Sequence, residues 1–488
     1  MKRFLLILFG IAAVVALMTA PARAADFKFG GYFHTVFDSN ENTRDGTDDL
    51  DDNLNSFWTR MRLYFTAQAS ENLMAVAKLE ADDVWGRARI GRVSVDGGSN
   101  GRADSGMEIK NIYIQFNLPN TPLTFQVGAL PILLGYGLAF NDDTNGIVAL
   151  AKVSDQVKVA LAYSRLNDNQ GKTLNFDSIG TVAGVHGVND ILAGAFAPNS
   201  GNATLFNSSD DWDLWAADFR FTPTKELALG LAGTWVHNDN KDVTVTAGGV
   251  TAVVDEVETN LFNVVLDVDY KTDPFSLYFT GGKNFGDIDV SGESVDFKGF
   301  LVSVGGTVNL QPIVLGVDFY YASGSEEDDD DINDYVTPGR DGRFTNKIDD
   351  VVFPGLMDTS SSTVAWEGGD VANTTNVRGT GLTATNGQYT PVNIMAIGAH
   401  LDFKPLDQTL IEVGGAWMQF VEDVDSDGDG DADDNSLGTS VYVRLVQGIV
   451  DGLQLKASFG YLFADDGFSP VDNDDNAYRF ATGLFWSW

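Results

Sequence analysis

Between Ser56 and Asp83 apolar and polar side chains alternate with a period of two, and this rhythm constrains the chain more than any other feature it carries. Leu63, Phe65 and Ala67 interleave with Arg62, Tyr64, Thr66 and Gln68. After the polar break Ser70-Glu71-Asn72 the pattern resumes, with Leu73, Ala75, Ala77 and Leu79 set against Lys78, Glu80 and Asp82. The stretch reads as two strands joined by a tight turn, one face apolar and the other charged. A soluble sandwich shows the same alternation, so the remaining strands and the two ends of the chain must decide the solvent.

Residues 1–24 carry a basic start at Lys2 and Arg3, an apolar run from Phe4 to Met18, and small residues Ala22 and Ala24 before Ala25. They read as a secretory signal peptide, leaving residues 25–488 as one exported domain. Removing Lys2, Arg3 and Arg23 takes the net charge from −38 to −41. So negative a chain is a poor partner for nucleic acid. The chain has no cysteine, which excludes a disulfide framework, a thiolate metal site and a cysteine nucleophile. No later segment supplies the roughly 20 consecutive apolar residues of a membrane helix.

What remains is a repeated sequence of strand, long polar loop, strand and short turn. Eighteen strands are counted, with sixteen as the smaller even alternative. The short connections include Ser70-Glu71, Pro119-Asn120, Thr272-Asp273 and Val450-Asp451. The long ones fall at 39–54, 86–105, 131–143, 167–210, 239–255, 287–293, 324–389, 422–436 and 465–474, and the two kinds alternate without a break. The expected fold is therefore an all-β transmembrane antiparallel β-barrel, with short periplasmic turns, long extracellular loops and no open edge in lipid. Its last strand aligns Tyr478, Phe480, Leu484, Trp486 and Trp488 on one parity. Such an aromatic terminal strand suits a lipid-facing girdle and resembles the signal read by the barrel-assembly machinery.

If the apolar parity faces lipid, the other parity lines the pore. Near one seam it supplies Arg60, Arg62, Lys78, Arg444, Lys456 and Arg479; across the ring it supplies Asp218, Asp267, Asp269 and Asp318, with Arg220 as an exception. A basic wall opposite an acidic one would screen solutes by charge and dipole. The segment 131–143 is apolar and glycine-rich until Asn141-Asp142-Asp143. Either it folds inward as a constriction loop with Asp142 and Asp143 at the narrowing, or it is a subunit contact at the rim.

The run from Asp423 to Asp434 places Asp423, Asp425, Asp427, Asp429, Asp431 and Asp434 at positions 1, 3, 5, 7, 9 and 12 of a loop, with Gly428 at position 6. That is the oxygen spacing of a calcium loop, although position 12 is Asp, Gly430 replaces an apolar residue, and strands flank it. A solvated acidic loop is the competing reading, and a divalent ion there could bridge to lipopolysaccharide phosphates. The histidines His34, His186, His237 and His400 show no metal-binding spacing. His400 with Asp402 is the one enzyme-like pair, and no cofactor is required.

Several segments resemble a known family: Ser70-Glu-Asn-Leu-Met-Ala-Val-Ala-Lys-Leu-Glu80, Asp83-Val-Trp-Gly86, Asn111-Ile-Tyr113, Leu118-Pro-Asn-Thr-Pro122 and Asn141-Asp-Asp-Thr-Asn-Gly-Ile147. Over about residues 57–167 the chain is similar to the homotrimeric outer-membrane porins of sulfate-reducing bacteria. The resemblance implies a trimer of water-filled barrels that pass ions and small hydrophilic solutes by diffusion, without a chemical step. Two alternatives stand beside it. One is a substrate-specific channel of the alginate-export or saccharide type, marked by Tyr64, Tyr113 and Tyr442 on the lumen parity; the other is a barrel enzyme. The acidic loops favour cations and the basic wall favours anions, so the sign of selectivity stays open.

Overall fold

The computed structural model describes residues 25–41, 54–84, 92–93, 106–167, 204–206, 212–247, 250–290, 293–324, 331–336, 393–424, 434–465 and 476–488. Eighteen strands form the barrel wall. The first seven are β1 (Asp26–Glu41), β2 (Leu54–Ser70), β3 (Leu73–Val84), β4 (Gly106–Asn117), β5 (Leu123–Leu134), β6 (Phe140–Lys152) and β7 (Val157–Asn167). Then follow β8 (Trp212–Phe221), β9 (Leu227–Ala247), β10 (Val250–Thr272), β11 (Phe275–Val290), β12 (Phe300–Asn309) and β13 (Ile313–Ala322). The ring is completed by β14 (Ile394–Leu406), β15 (Thr409–Val424), β16 (Asp434–Val450), β17 (Leu453–Ala464) and β18 (Ala477–Ser487). Each pairs antiparallel with its neighbours in the chain, and β1 closes the ring on β18 from Tyr32↔Ser487 to Glu41↔Tyr478. Closure leaves no edge whose backbone groups would be unsatisfied in lipid.

The alternation sorts the faces as the sequence requires. Outward on successive strands stand Phe29, Leu161, Trp215, Leu231, Leu266, Leu277, Val317, Ile397, Val413, Leu484 and Trp486, all exposed. Inward stand Arg60, Glu80, Asp218, Asp267, Asp318, Arg444 and Arg479, all buried. An apolar exterior around a charged interior is what a barrel in a bilayer needs.

Three expectations about connections are corrected. The segment 131–143 is mostly strand rather than loop: β5 and β6 stay paired as far as Leu134↔Phe140, around a single turn at Gly135–Gly137. The expected loop 239–255 is also largely strand, because β9 and β10 remain paired up to Ala247↔Val250, with Gly248-Gly249 between them in sequence. Finally, the chain that follows the expected loop 287–293 does not enter the wall directly as one strand: Glu293–Asp296 folds back on β11, and Phe297 then pairs with Ile332 before β12 starts.

Inside the barrel, β8 to β13 present an apolar wall. Leu214, Val236, Leu261, Val265, Ile288, Leu301 and Tyr320 point inward, and none is more than 2% exposed. In a wet lumen each would forgo about 1.5–3 kcal/mol of burial. Two segments enter the barrel and cover this wall. One is the outer end of the β5–β6 hairpin, which leaves β7 beyond Asn145↔Arg165 and presses Leu138, Ala139 and Phe140, all fully buried, against β9 and β10. The other is Asp331–Val336, which buries Ile332, Tyr335 and Val336.

Candidate functional site: the lumen wall

The basic residues read from the sequence all lie on the inner wall of β2, β3 and β16 to β18, and most have a carboxylate within reach. On β2, Arg62 is opposite Glu80 of β3 in register and donates Nε to it, while Arg60 lies 3.6 Å from the same carboxylate. On β16, Arg444 is opposite Glu412 of β15 at 3.3 Å, and the Tyr442 hydroxyl donates to Glu412 at 2.6 Å. Arg479 of β18 grips Asp38 of β1 with two nitrogens, Nη2 at 2.6 Å and Nε at 3.1 Å. This fork-to-carboxylate geometry fixes orientation as well as charge.

Aromatic rings run through the same sector. Arg62 sits over Tyr32 at 5.4 Å, Lys78 over Tyr64 at 5.6 Å, Arg444 over Tyr442 at 4.7 Å and Lys456 over Phe485 at 4.5 Å. Each ring face favours its cation and holds it along the wall. Asp38, Glu412 and Phe485 were missed in the sequence reading, although the inward parity of their strands marks them.

The acidic residues are on the opposite arc. Asp218 of β8 accepts from Arg220 Nε at 2.8 Å, and Arg220 Nη1 lies 3.2 Å from Asp267 of β10. Asp318 of β13 accepts the Tyr278 hydroxyl at 2.8 Å and faces His400 Nδ1 at 3.4 Å. His400 is thus linked across the strand pair to Asp318, a partner that the sequence did not suggest beside Asp402. The six cations of the basic arc stand among the carboxylates Asp38, Glu80 and Glu412, while on the acidic arc Asp218, Asp267 and Asp269 meet Arg220 and Lys271.

Between the two arcs lies the inserted hairpin end. Its turn has three successive positive φ angles, +57° at Gly135, +56° at Tyr136 and +89° at Gly137. Glycine adopts these freely, whereas for Tyr136 the left-handed backbone costs about 1–2 kcal/mol. Two contacts hold it there: the Tyr136 hydroxyl donates to Asp269, and Arg220 lies over the ring at 5.4 Å. Burial and the Asp269 carboxylate push the Tyr136 phenol above its ordinary range, so it stays a donor.

On the hairpin's other side Asp143 reaches β4, next to the basic arc. It lies 3.2 Å from Lys110 and accepts Asn111 Nδ2 at 2.7 Å, while its own amide donates to Asp142 Oδ1 at 2.7 Å. Lys110 is the extra residue of a bulge in β4, where the pairing jumps from Lys78↔Asn111 to Leu79↔Ile109. The hairpin end therefore spans from the β9–β10 wall to β4. Of the acidic run, Asp423 lies near the end of β15 and Asp434 begins β16, paired with Val424. Asp425, Asp427, Asp429 and Asp431 fall outside the described residues, as do residues 1–24.

No family model matches the chain, and no curated protein matches it in sequence. Solved structures share its fold. OccAB2 of Acinetobacter baumannii aligns at a TM-score of 0.54 and 11% identity, with 94% of this chain and 98% of that one covered. OccAB4 of the same organism gives 0.52 and 11%, covering 96% and 100%. The outer membrane protein opdK of Pseudomonas aeruginosa gives 0.50 and 9%, covering 94% and 99%. The likeness is to the eighteen-stranded barrel of outer-membrane porins, and it does not single out those of sulfate-reducing bacteria.

Proposed function

We propose that this chain is an outer-membrane porin through which ions and small hydrophilic solutes diffuse passively. The observation that carries the reading is the inner wall: a closed barrel, apolar outside, carries a cluster of basic residues and a cluster of acidic ones on opposite sides of the inserted hairpin. Opposed charges at close range select by charge and dipole without a chemical step. The hairpin end, with Asp142 and Asp143, is the constriction in this account, and Arg60, Arg62, Lys78, Arg444, Lys456, Arg479, Asp218, Asp267, Asp269 and Asp318 line the path. A homotrimer, as in the porins that residues 57–167 resemble, is part of the proposal. So are contacts of the outer rim with lipopolysaccharide and calcium binding at Asp423–Asp434. The test is conductance of the purified protein in a planar bilayer, with reversal potential in a salt gradient. Steps arriving in threes support the trimeric pore; silence from verified, inserted barrels sinks the open-pore account.

The row of cations stacked on Tyr32, Tyr64, Tyr442 and Phe485 favours a second reading, a channel with a saturable solute site along that row. Solute influx into proteoliposomes that levels off with concentration would favour it; strictly linear influx favours simple diffusion.

A further inference from the structure

The two segments inside the barrel meet at Leu138 O, a carbonyl in the hairpin turn. It accepts Asn263 Nδ2 of β10 at 3.1 Å and lies 2.9 Å from the hydroxyl of Tyr335. The same hydroxyl lies 2.8 Å from Asn263 Oδ1, so its one hydrogen serves either acceptor. Asn263 Nδ2 also donates to Val336 O at 3.0 Å. On the neighbouring strand Asn284, in register with Asn263, accepts Val336 N at 2.7 Å and donates to Val336 O at 2.9 Å.

Both asparagines are fully buried. A side-chain amide carries one acceptor and two donor hydrogens, so the pair can bind backbone as an additional strand would. The wall is also shaped for the visitor. A Cβ on Gly282 would stand 2.5 Å from the Tyr335 hydroxyl, so glycine there opens the slot that the ring fills. Thr234 Oγ1 donates to Ala139 O at 3.3 Å and fixes the turn from the β9 side, while Tyr335 binds it from the other inserted segment.

We infer that Tyr335, set on Asn263 and Asn284, is the positioning residue that holds the Gly135–Ala139 turn against the inner wall and so sets the channel's width. This rests on the porin reading and names what regulates its bore. Without the hydroxyl, Leu138 O keeps the Asn263 amide and loses its hydrogen bond to the second segment.

The test uses the full-length protein in bilayers and in detergent. Tyr335→Phe keeps the ring and removes the hydroxyl; Gly282→Ala displaces the ring and keeps every hydrogen-bonding group, in case the first variant does not fold. Expected for either, at unchanged heat-modified gel mobility, are at least tenfold faster hydrogen exchange at the Leu138 and Ala139 amides and at least a twofold change in open-channel conductance or noise. Because the chain has no cysteine, an Ala139→Cys/Thr234→Cys pair added to Tyr335→Phe can be oxidised to pin the turn. Oxidation should restore wild-type conductance and reduction should undo it. Wild-type exchange in both variants would overturn the inference, as would faster exchange with unaltered conductance. If the wild type passes no current, the porin reading fails, and exchange at the turn still decides whether Tyr335 holds it.

Discussion

The inner wall of β1 to β3 and β16 to β18 and that of β8 to β13 are built by the same alternation, yet they meet different surroundings. In the first sector charged residues stand among the inward ones, and cross-strand register places Arg62 opposite Glu80 and, with β15, Arg444 opposite Glu412. Such a wall satisfies itself and can face water. In the second, inward residues such as Leu261 and Val265 have no use for water, and the chain sends a hairpin end and a second segment to cover them. Parity decides which side chains face in; their chemistry decides whether solvent or protein meets them.

The largest effect should come from breaking a buried pair in the charged sector. Arg479→Ala strands Asp38 inside the wall, and a loss of about 3–5 kcal/mol is expected, read as a lower unfolding midpoint in urea. In the covered sector, Leu138→Ala should cost about 2–5 kcal/mol by the same assay, since the fully buried side chain leaves a cavity between the hairpin and the wall. Gly305→Ala sharpens the comparison on the acidic arc, because its Cβ would run into Asp318 Oδ1. That overpacking should cost about 1–3 kcal/mol. Smaller still is the effect of replacing Lys78, stacked over Tyr64, with glutamine, which should move the reversal potential toward cations by a few millivolts and fade in high salt. Asp155→Asn, at an exposed pair with Lys152 on the turn rim, should change neither stability nor selectivity.

Much of this was legible beforehand. Strict alternation in β2 and β3 fixed which of Arg62, Lys78 and Leu79 face in or out, and the apolar composition of 131–143 marked it as unlike the other connections. The continued pairing of β9 with β10 as far as Ala247↔Val250 was hidden by the polar residues Asn238 to Asp242, which read as a loop although Val243-Thr-Val-Thr246 resumes the alternation. The covered wall also left a trace: Leu261-Phe-Asn-Val-Val-Leu266 is nearly continuously apolar, as befits a strand with lipid on one face and packed protein on the other. Tyr335 had no local signature, because its contact with Leu138 spans 197 positions and exists only once the ring has closed.

The contrast between the two walls is tested most directly by water itself. Single cysteines replacing Tyr64 in the charged sector and Leu261 in the covered one, in otherwise cysteine-free barrels, would be reacted with a membrane-impermeant maleimide. The account expects Tyr64→Cys to label at least tenfold faster than Leu261→Cys in the folded protein, with the difference vanishing after heat denaturation. Equal rates in the folded barrel would contradict it, for they would mean that solvent reaches both walls alike.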